Sequence, residues 1–198
     1  MIIALDTETT GIPLWNYPDP KSPAQVPGWP RLVTVAWRPL GRGMANSPVE
    51  MMAKPDGFRI PESATRVHGI SNKRAEEEGV PVRGILDRLA AVIDKAEPGP
   101  VVIAAYNYEF DYGVIMAECT RTGHARLAAL LDACEWQCVM RLTKTLGNHH
   151  RFIALKKAIQ IHAPGFDQSK FHTASGDVTA LVALMMALRK LAMRREWG

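Results

Sequence analysis

Four acidic residues and a histidine stand where the chain changes direction: Asp6 and Glu8 end an apolar run, Asp111 follows another, and His172 and Asp177 precede a long leucine stripe. Alternate side chains of a strand share a face, so Ile2, Ala4, Asp6 and Glu8 point one way while Ile3, Leu5 and Thr7 point the other. Asp111 sits one helical turn ahead of Val114 and Ile115, on their face, and Asp177 heads the stripe Leu181, Leu184, Leu188 and Leu191. Each has a plain structural explanation. Asp177 in a first turn after a Ser175 cap suits the helix dipole, Asn107 can cap a helix in the same way, and His172 can be an ordinary loop histidine. Taken together, four carboxylates on inward-facing sides repel one another and lose hydration, which is costly unless cations neutralise them. An all-oxygen donor set suits Mg2+ or Mn2+ rather than zinc, and two such ions about 3.5–4 Å apart catalyse phosphodiester hydrolysis. An imidazole titrates near neutrality, which makes His172 the candidate base for the attacking water.

These residues need elements to carry them. The apolar patterning predicts strands over 2–7, 32–38, 49–54, 101–106 and 132–136, the first three forming an antiparallel meander. It predicts helices over 63–68, 72–78, 82–96, 109–122, 124–131, 138–146, 152–162 and 176–195. The sum is an α/β fold, a mixed sheet of about five strands flanked by helices. Between the first two strands lies a proline-rich insertion at about 12–31 carrying Trp15, Tyr17 and Trp29. Prolines at this density exclude regular structure, and the aromatics are expected to pin the segment to the body; a stacking platform for a nucleobase, built on Trp15 or Tyr17, is the alternative.

A length of 198 residues supports one domain, 1–198, with a sizeable core. No apolar run approaches a membrane span, and "MIIALDTE" lacks the basic start of a signal peptide. Three cysteines, Cys119, Cys134 and Cys138, make no disulfide framework, which fits a reducing cytoplasm. The net charge of +4 permits a polyanionic partner without demanding one.

In order and spacing, "DTETTG" (Asp6 to Gly11), "NYEFD" (Asn107 to Asp111) and "HTASGD" (His172 to Asp177) resemble the three motifs of the DEDDh group of DnaQ-like 3′–5′ exonucleases. The likeness extends to "VHGI" (Val67 to Ile70), "WPRLVTVAW" and "EWQCVMRLTK", so it covers most of the chain. It implies a ribonuclease H-like fold and two divalent cations, Mg2+ or Mn2+. Asp6 would bridge both, Glu8 and Asp177 would complete one site, and Asp111 would hold the second ion. His172 would act as base, and Thr9 and Thr10 would lie by the 3′-terminal nucleotide. Asn107 and Phe110 carry over as substrate-binding residues. Tyr106, Tyr108 and Glu109 depart from the family's pattern and are expected to alter the lining of the terminal-base pocket.

The implied partner is the 3′ end of DNA, single-stranded or frayed, with RNA ends or short oligoribonucleotides as the alternative. A polymerase, or a second copy of the chain in a homodimer, is the further partner such a protein would take. A non-catalytic nucleic-acid-binding or polymerase-partner module is the rival from another class; its mark would be a missing carboxylate or histidine, and all five positions are filled. His68 reads as an anchor of its turn, and His149, His150 and Arg151 as a solvated loop. The adjacent histidines lack the spacing that would make a zinc site with Cys134 and Cys138.

Overall fold

The computed structural model describes residues 1–14, 16–41, 43–44, 46–95 and 99–196, so Trp15 lies outside the described residues. Five strands, β1 (Ile2–Thr9), β2 (Leu32–Leu40), β3 (Val49–Met52), β4 (Val102–Ala105) and β5 (Glu135–Cys138), form a mixed sheet in the order β3-β2-β1-β4-β5. The first three make the expected antiparallel meander, and β4 and β5 run parallel to β1. The helices are α1 (Glu62–His68), α2 (Asn72–Glu78), α3 (Val82–Asp94), α4 (Tyr108–Thr122), α5 (Ala125–Ala133), α6 (Val139–Leu146), α7 (Leu155–His162) and α8 (Ala174–Glu196).

Two elements start three residues later than their patterning predicts. β5 begins at Glu135 rather than 132, because α5 runs on to Ala133 with Leu131 fully buried, and the Leu131 carbonyl takes the Trp136 indole N–H at 3.0 Å. α7 begins at Leu155 rather than 152, where the Ile153 carbonyl accepts the Tyr106 hydroxyl at 2.6 Å. The α3 helix ends at Asp94, and the predicted last residue, Ala96, lies outside the described residues.

The sheet's two faces are built differently, and the difference places the acidic residues. One face presents the large side chains Ile3, Leu5, Val35, Trp37 and Ile103 to a core shared with α3, α4 and α5. The other presents Ala4, Ala36 and Ala104, and those small residues let α8 lie close against the sheet through Ala174, Val178, Leu181, Leu184 and Leu188. Burying the four larger of these α8 side chains contributes on the order of 6–12 kcal/mol as an upper figure. That exceeds the roughly 3 kcal/mol cost of holding a carboxylate whose pKa is raised by about two units, so the helix stays docked while carrying Asp177 inward.

Candidate active site

β1 delivers two carboxylates to the α8 face. Asp6 pairs in register with Ala36, and Ala36 with Glu50 on β3, so one row across three strands carries Asp6 and Glu50; Glu8 sits opposite Thr34. The strand then shifts register between Glu8 and Thr9, which ends its regular pairing next to the acidic pair. α8 starts above them. Thr173, rather than Ser175, caps the helix: its hydroxyl accepts the Gly176 N–H at 3.1 Å. The Ser175 N–H is taken instead by the Glu50 carboxylate at 2.9 Å. Asp177 is thereby held over the strand, and ligand oxygens of Asp6, Glu8 and Asp177 all lie within 4.8 Å of one another.

Asp111 arrives from the opposite face. It lies in the first turn of α4, buried to 4% exposure, and accepts the Thr7 hydroxyl at 2.8 Å. Thr7 points away from Asp6 and Glu8, so Asp111 reaches the group past the end of the sheet, close enough that its charge acts on both.

Burial pushes all four carboxyls upward. Asp6 is raised well above the usual carboxylate range, first by desolvation and then by the charges of Asp111, Asp177, Glu8 and Glu50. Glu8 is raised to about 7 by burial and by Asp177, Asp111 and Glu50. Asp111 is raised to about 7 by burial, against the hydroxyl and N–H of Thr7 and its own N–H. Asp177 is raised to about 6 by burial, with His172 pulling downward through its charge and its backbone N–H. Among the described residues no lysine or arginine is ion-paired with any of the four. The buried Oδ1 of Asp177 has no hydrogen-bond partner among the described residues. An orphaned carboxylate oxygen facing two further carboxylates is an oxygen-donor set that fits a hard divalent cation.

His172 is exposed, immediately before α8, in a left-handed backbone conformation (φ 69°). Thr9 donates its hydroxyl to the Gly11 carbonyl at 2.6 Å, and the Thr10 hydroxyl accepts the Arg31 N–H at 2.9 Å, which ties the end of β1 to the end of the insertion. Asn107 occupies the N-cap position of α4 without a side-chain capping bond; its amide donates instead to the Tyr17 hydroxyl at 2.9 Å. Phe110 packs toward Trp29 with ring centroids 6.5 Å apart. Tyr106 turns into the α8-side core, so of the three departures only Tyr108 and Glu109 line a surface cleft. The Nδ1 of His68 accepts the Ile70 N–H at 3.1 Å, which anchors its turn as expected.

Glu50 was not singled out by the sequence. Its only trace there is a charged residue at the start of a short, otherwise apolar strand, and its proximity to Asp6 follows from a three-strand register.

No family model matches the sequence, and no curated protein matches it. Solved structures do match the fold. The zinc-ion-bound form of E. coli exonuclease I in complex with single-stranded DNA has a TM-score of 0.69 at 21% identity, covering 98% of this chain and 41% of that one. A moderately thermophilic exonuclease I from Methylocaldum szegediense gives 0.68 at 20% identity, covering 96% of this chain and 40% of that one. Exonuclease X in complex with 5′-overhanging duplex DNA gives 0.64 at 17% identity, covering 98% of this chain and 93% of that one. The chain thus spans about two fifths of the length of the exonuclease I chains. Its mixed sheet with flanking helices is the expected ribonuclease H-like α/β fold.

Proposed function

We propose that this chain is a DnaQ-like, divalent-metal-dependent 3′–5′ exonuclease that shortens DNA from single-stranded or frayed 3′ ends and releases nucleoside 5′-monophosphates. The observation that carries the reading is a carboxylate cluster with no ion-paired lysine or arginine among the described residues, set on a fold shared with exonucleases solved in complex with DNA. Asp6, Glu8 and Asp177 would hold one cation, and Asp6 with Asp111 a second. Bound Mg2+ or Mn2+ would stabilise charge on the attacked phosphate and acidify the attacking water. His172, in solvent beside Asp177, takes the proton of that water on an imidazole nitrogen and passes it to bulk. Thr9 and Thr10 follow Glu8 at the end of β1, where they fix the strand end against which a 3′ terminus is placed. The net charge of +4 draws a polyanion to a protein whose site is itself acidic.

The test uses 5′-labelled single-stranded DNA and RNA of one sequence, incubated with Mg2+ or Mn2+, with EDTA, and with Asp6→Ala. The expected result is a metal-dependent ladder shortening from the 3′ end of DNA, absent in EDTA and in the variant. Shortening that survives EDTA, or release of the 5′ label directly as a mononucleotide without a ladder, overturns the reading. Preferential degradation of the RNA strand would replace the DNA assignment with an exoribonuclease.

A further inference from the structure

The α8 helix rests on a smooth floor. The sheet face beneath it presents Ala4, Ala36 and Ala104, whose methyl groups set how close the helix lies. Apolar contact has no direction, so such a floor does little to set how far along the sheet the helix sits. That position matters most at the start of α8, because His172 stands three residues before Ser175 and Asp177 two residues after it. His172 also holds φ 69°, a conformation that a histidine keeps where surrounding contacts fix it.

A directional contact reaches this turn from the sheet. The Ser175 N–H donates to the Glu50 carboxylate at 2.9 Å, and Glu50 shares its row with Ala36 and Asp6. The row therefore offers the helix a carboxylate at each end with a methyl between them, the two ends lying about 10 Å apart, twice the strand spacing. The first turn of α8 spans it: Ser175 is held at the Glu50 end, and Asp177 meets Asp6 and Glu8 at the other with oxygens within 4.8 Å of one another. Thr173 caps the Gly176 N–H from the adjoining chain, which shapes the turn without fixing its place on the sheet. A carboxylate suits the task, because the first N–H groups of a helix carry its positive end and a charged acceptor makes the stronger bond. Glu50 itself stays outside the group of oxygens that converge on an ion position. We infer that Glu50 is a positioning residue of the reaction: through the Ser175 N–H it sets where the first turn of α8 lies, and so aligns Asp177 and His172 with Asp6 and Glu8. The inference rests on the exonuclease reading above and adds a fifth carboxylate to its machinery, one that holds a helix and not a metal ion.

Two substitutions separate the tether from its alternatives. Glu50→Ala removes the acceptor, whereas Glu50→Gln keeps an acceptor oxygen at the same reach without the charge. Both are measured for kcat and KM on a 5′-labelled oligothymidylate, for equilibrium Mn2+ binding, and for amide hydrogen exchange at Ser175 in EDTA. Glu50 is exposed on the edge strand β3, and thermal melts check that each variant remains folded. Glu50→Ala is expected to lower kcat on the order of ten- to a hundredfold with KM little changed, the scale of a misplacement of roughly 1 Å. It should also weaken Mn2+ binding by about tenfold, as the loss of a group that orients a ligand does, and speed exchange at Ser175. Glu50→Gln should return all three most of the way to wild type. A Gln variant that binds Mn2+ as weakly as the Ala variant overturns the tether, since charge or direct ligation would then matter. So does an Ala variant that melts lower yet keeps wild-type kcat and Mn2+ affinity per folded molecule, which is a structural role alone. A wild-type protein that shortens no 3′ end sinks the exonuclease reading, while Mn2+ binding and Ser175 exchange still decide the tether.

Discussion

Glu118 and the Asp6, Glu8 and Asp177 group are all carboxylates withdrawn from water, and the chain treats them in opposite ways. Glu118, fully buried on α4, accepts Arg31 Nε at 2.8 Å, Arg121 Nη1 at 3.0 Å and the Leu32 backbone N–H at 3.2 Å. It joins α4 to the end of the insertion and the start of β2, and its charge is answered from within the chain. At the end of β1 three carboxylates converge within 4.8 Å, a fourth is near, and one oxygen is orphaned. Among the described residues no arginine is ion-paired there. A chain that can neutralise a buried carboxylate where it is structural, and does not do so where four gather, leaves that charge to be met by something that binds.

Asp6→Asn breaks the comparison most severely. Exonuclease turnover should fall at least about a thousandfold, the scale for removing a group that stabilises transition-state charge. Relief of repulsion should at the same time leave metal-free stability equal or higher, as read by denaturant unfolding in EDTA. Glu118→Gln should do the reverse. Leaving Arg31 and Arg121 without their buried partner should cost about 3–5 kcal/mol of stability, with turnover per folded molecule retained. His172→Gly separates a base from a structural residue: turnover should drop on the order of a hundredfold. Its melting temperature should hold or rise, because glycine adopts φ 69° without strain.

The smallest effect is a pH dependence. Glu8, Asp111 and Asp177 are raised to about 7, 7 and 6 from ordinary values of 4.5, 3.8 and 3.8. Between pH 4 and 7 the folded metal-free protein therefore holds protons that the unfolded chain has released, and its stability falls as pH rises through that window. The loss should be read by denaturant unfolding in EDTA and should flatten with saturating Mg2+. A metal-free unfolding curve that does not weaken from pH 5 to 7.5 would contradict this.

Much of this was legible because it is local. Alternation placed Asp6 and Glu8 on one strand face, and helical spacing placed Asp177 at the head of Leu181, Leu184 and Leu188, which are buried. What depends on register and on competition between partners was not. Glu50 enters only through the pairing of β1, β2 and β3. The α8 cap is Thr173 and not Ser175 because the helix begins at Ala174, where the Ser175 N–H is taken by Glu50, and Asn107 gave up capping α4 for Tyr17. Trp29 pins the insertion as expected of an aromatic, but only the closeness allowed by Gly113, far along the chain from it, explains why that ring is the buried one. Asp111 was expected on an inward helix face, and its approach from the side opposite Asp6 is a property of the sheet's topology.

Equilibrium Mn2+ binding at neutral pH, followed by the loss of the free-ion electron paramagnetic resonance signal, addresses the contrast between the two carboxylate groups most directly. Wild type is expected to bind two Mn2+ per chain with or without DNA, Glu118→Gln to bind the same number when folded, and Asp6→Asn to lose both or all but one weak ion. A wild-type protein that leaves Mn2+ free, or an Asp6→Asn variant that binds as wild type does, would contradict the assignment of the cluster as a metal site.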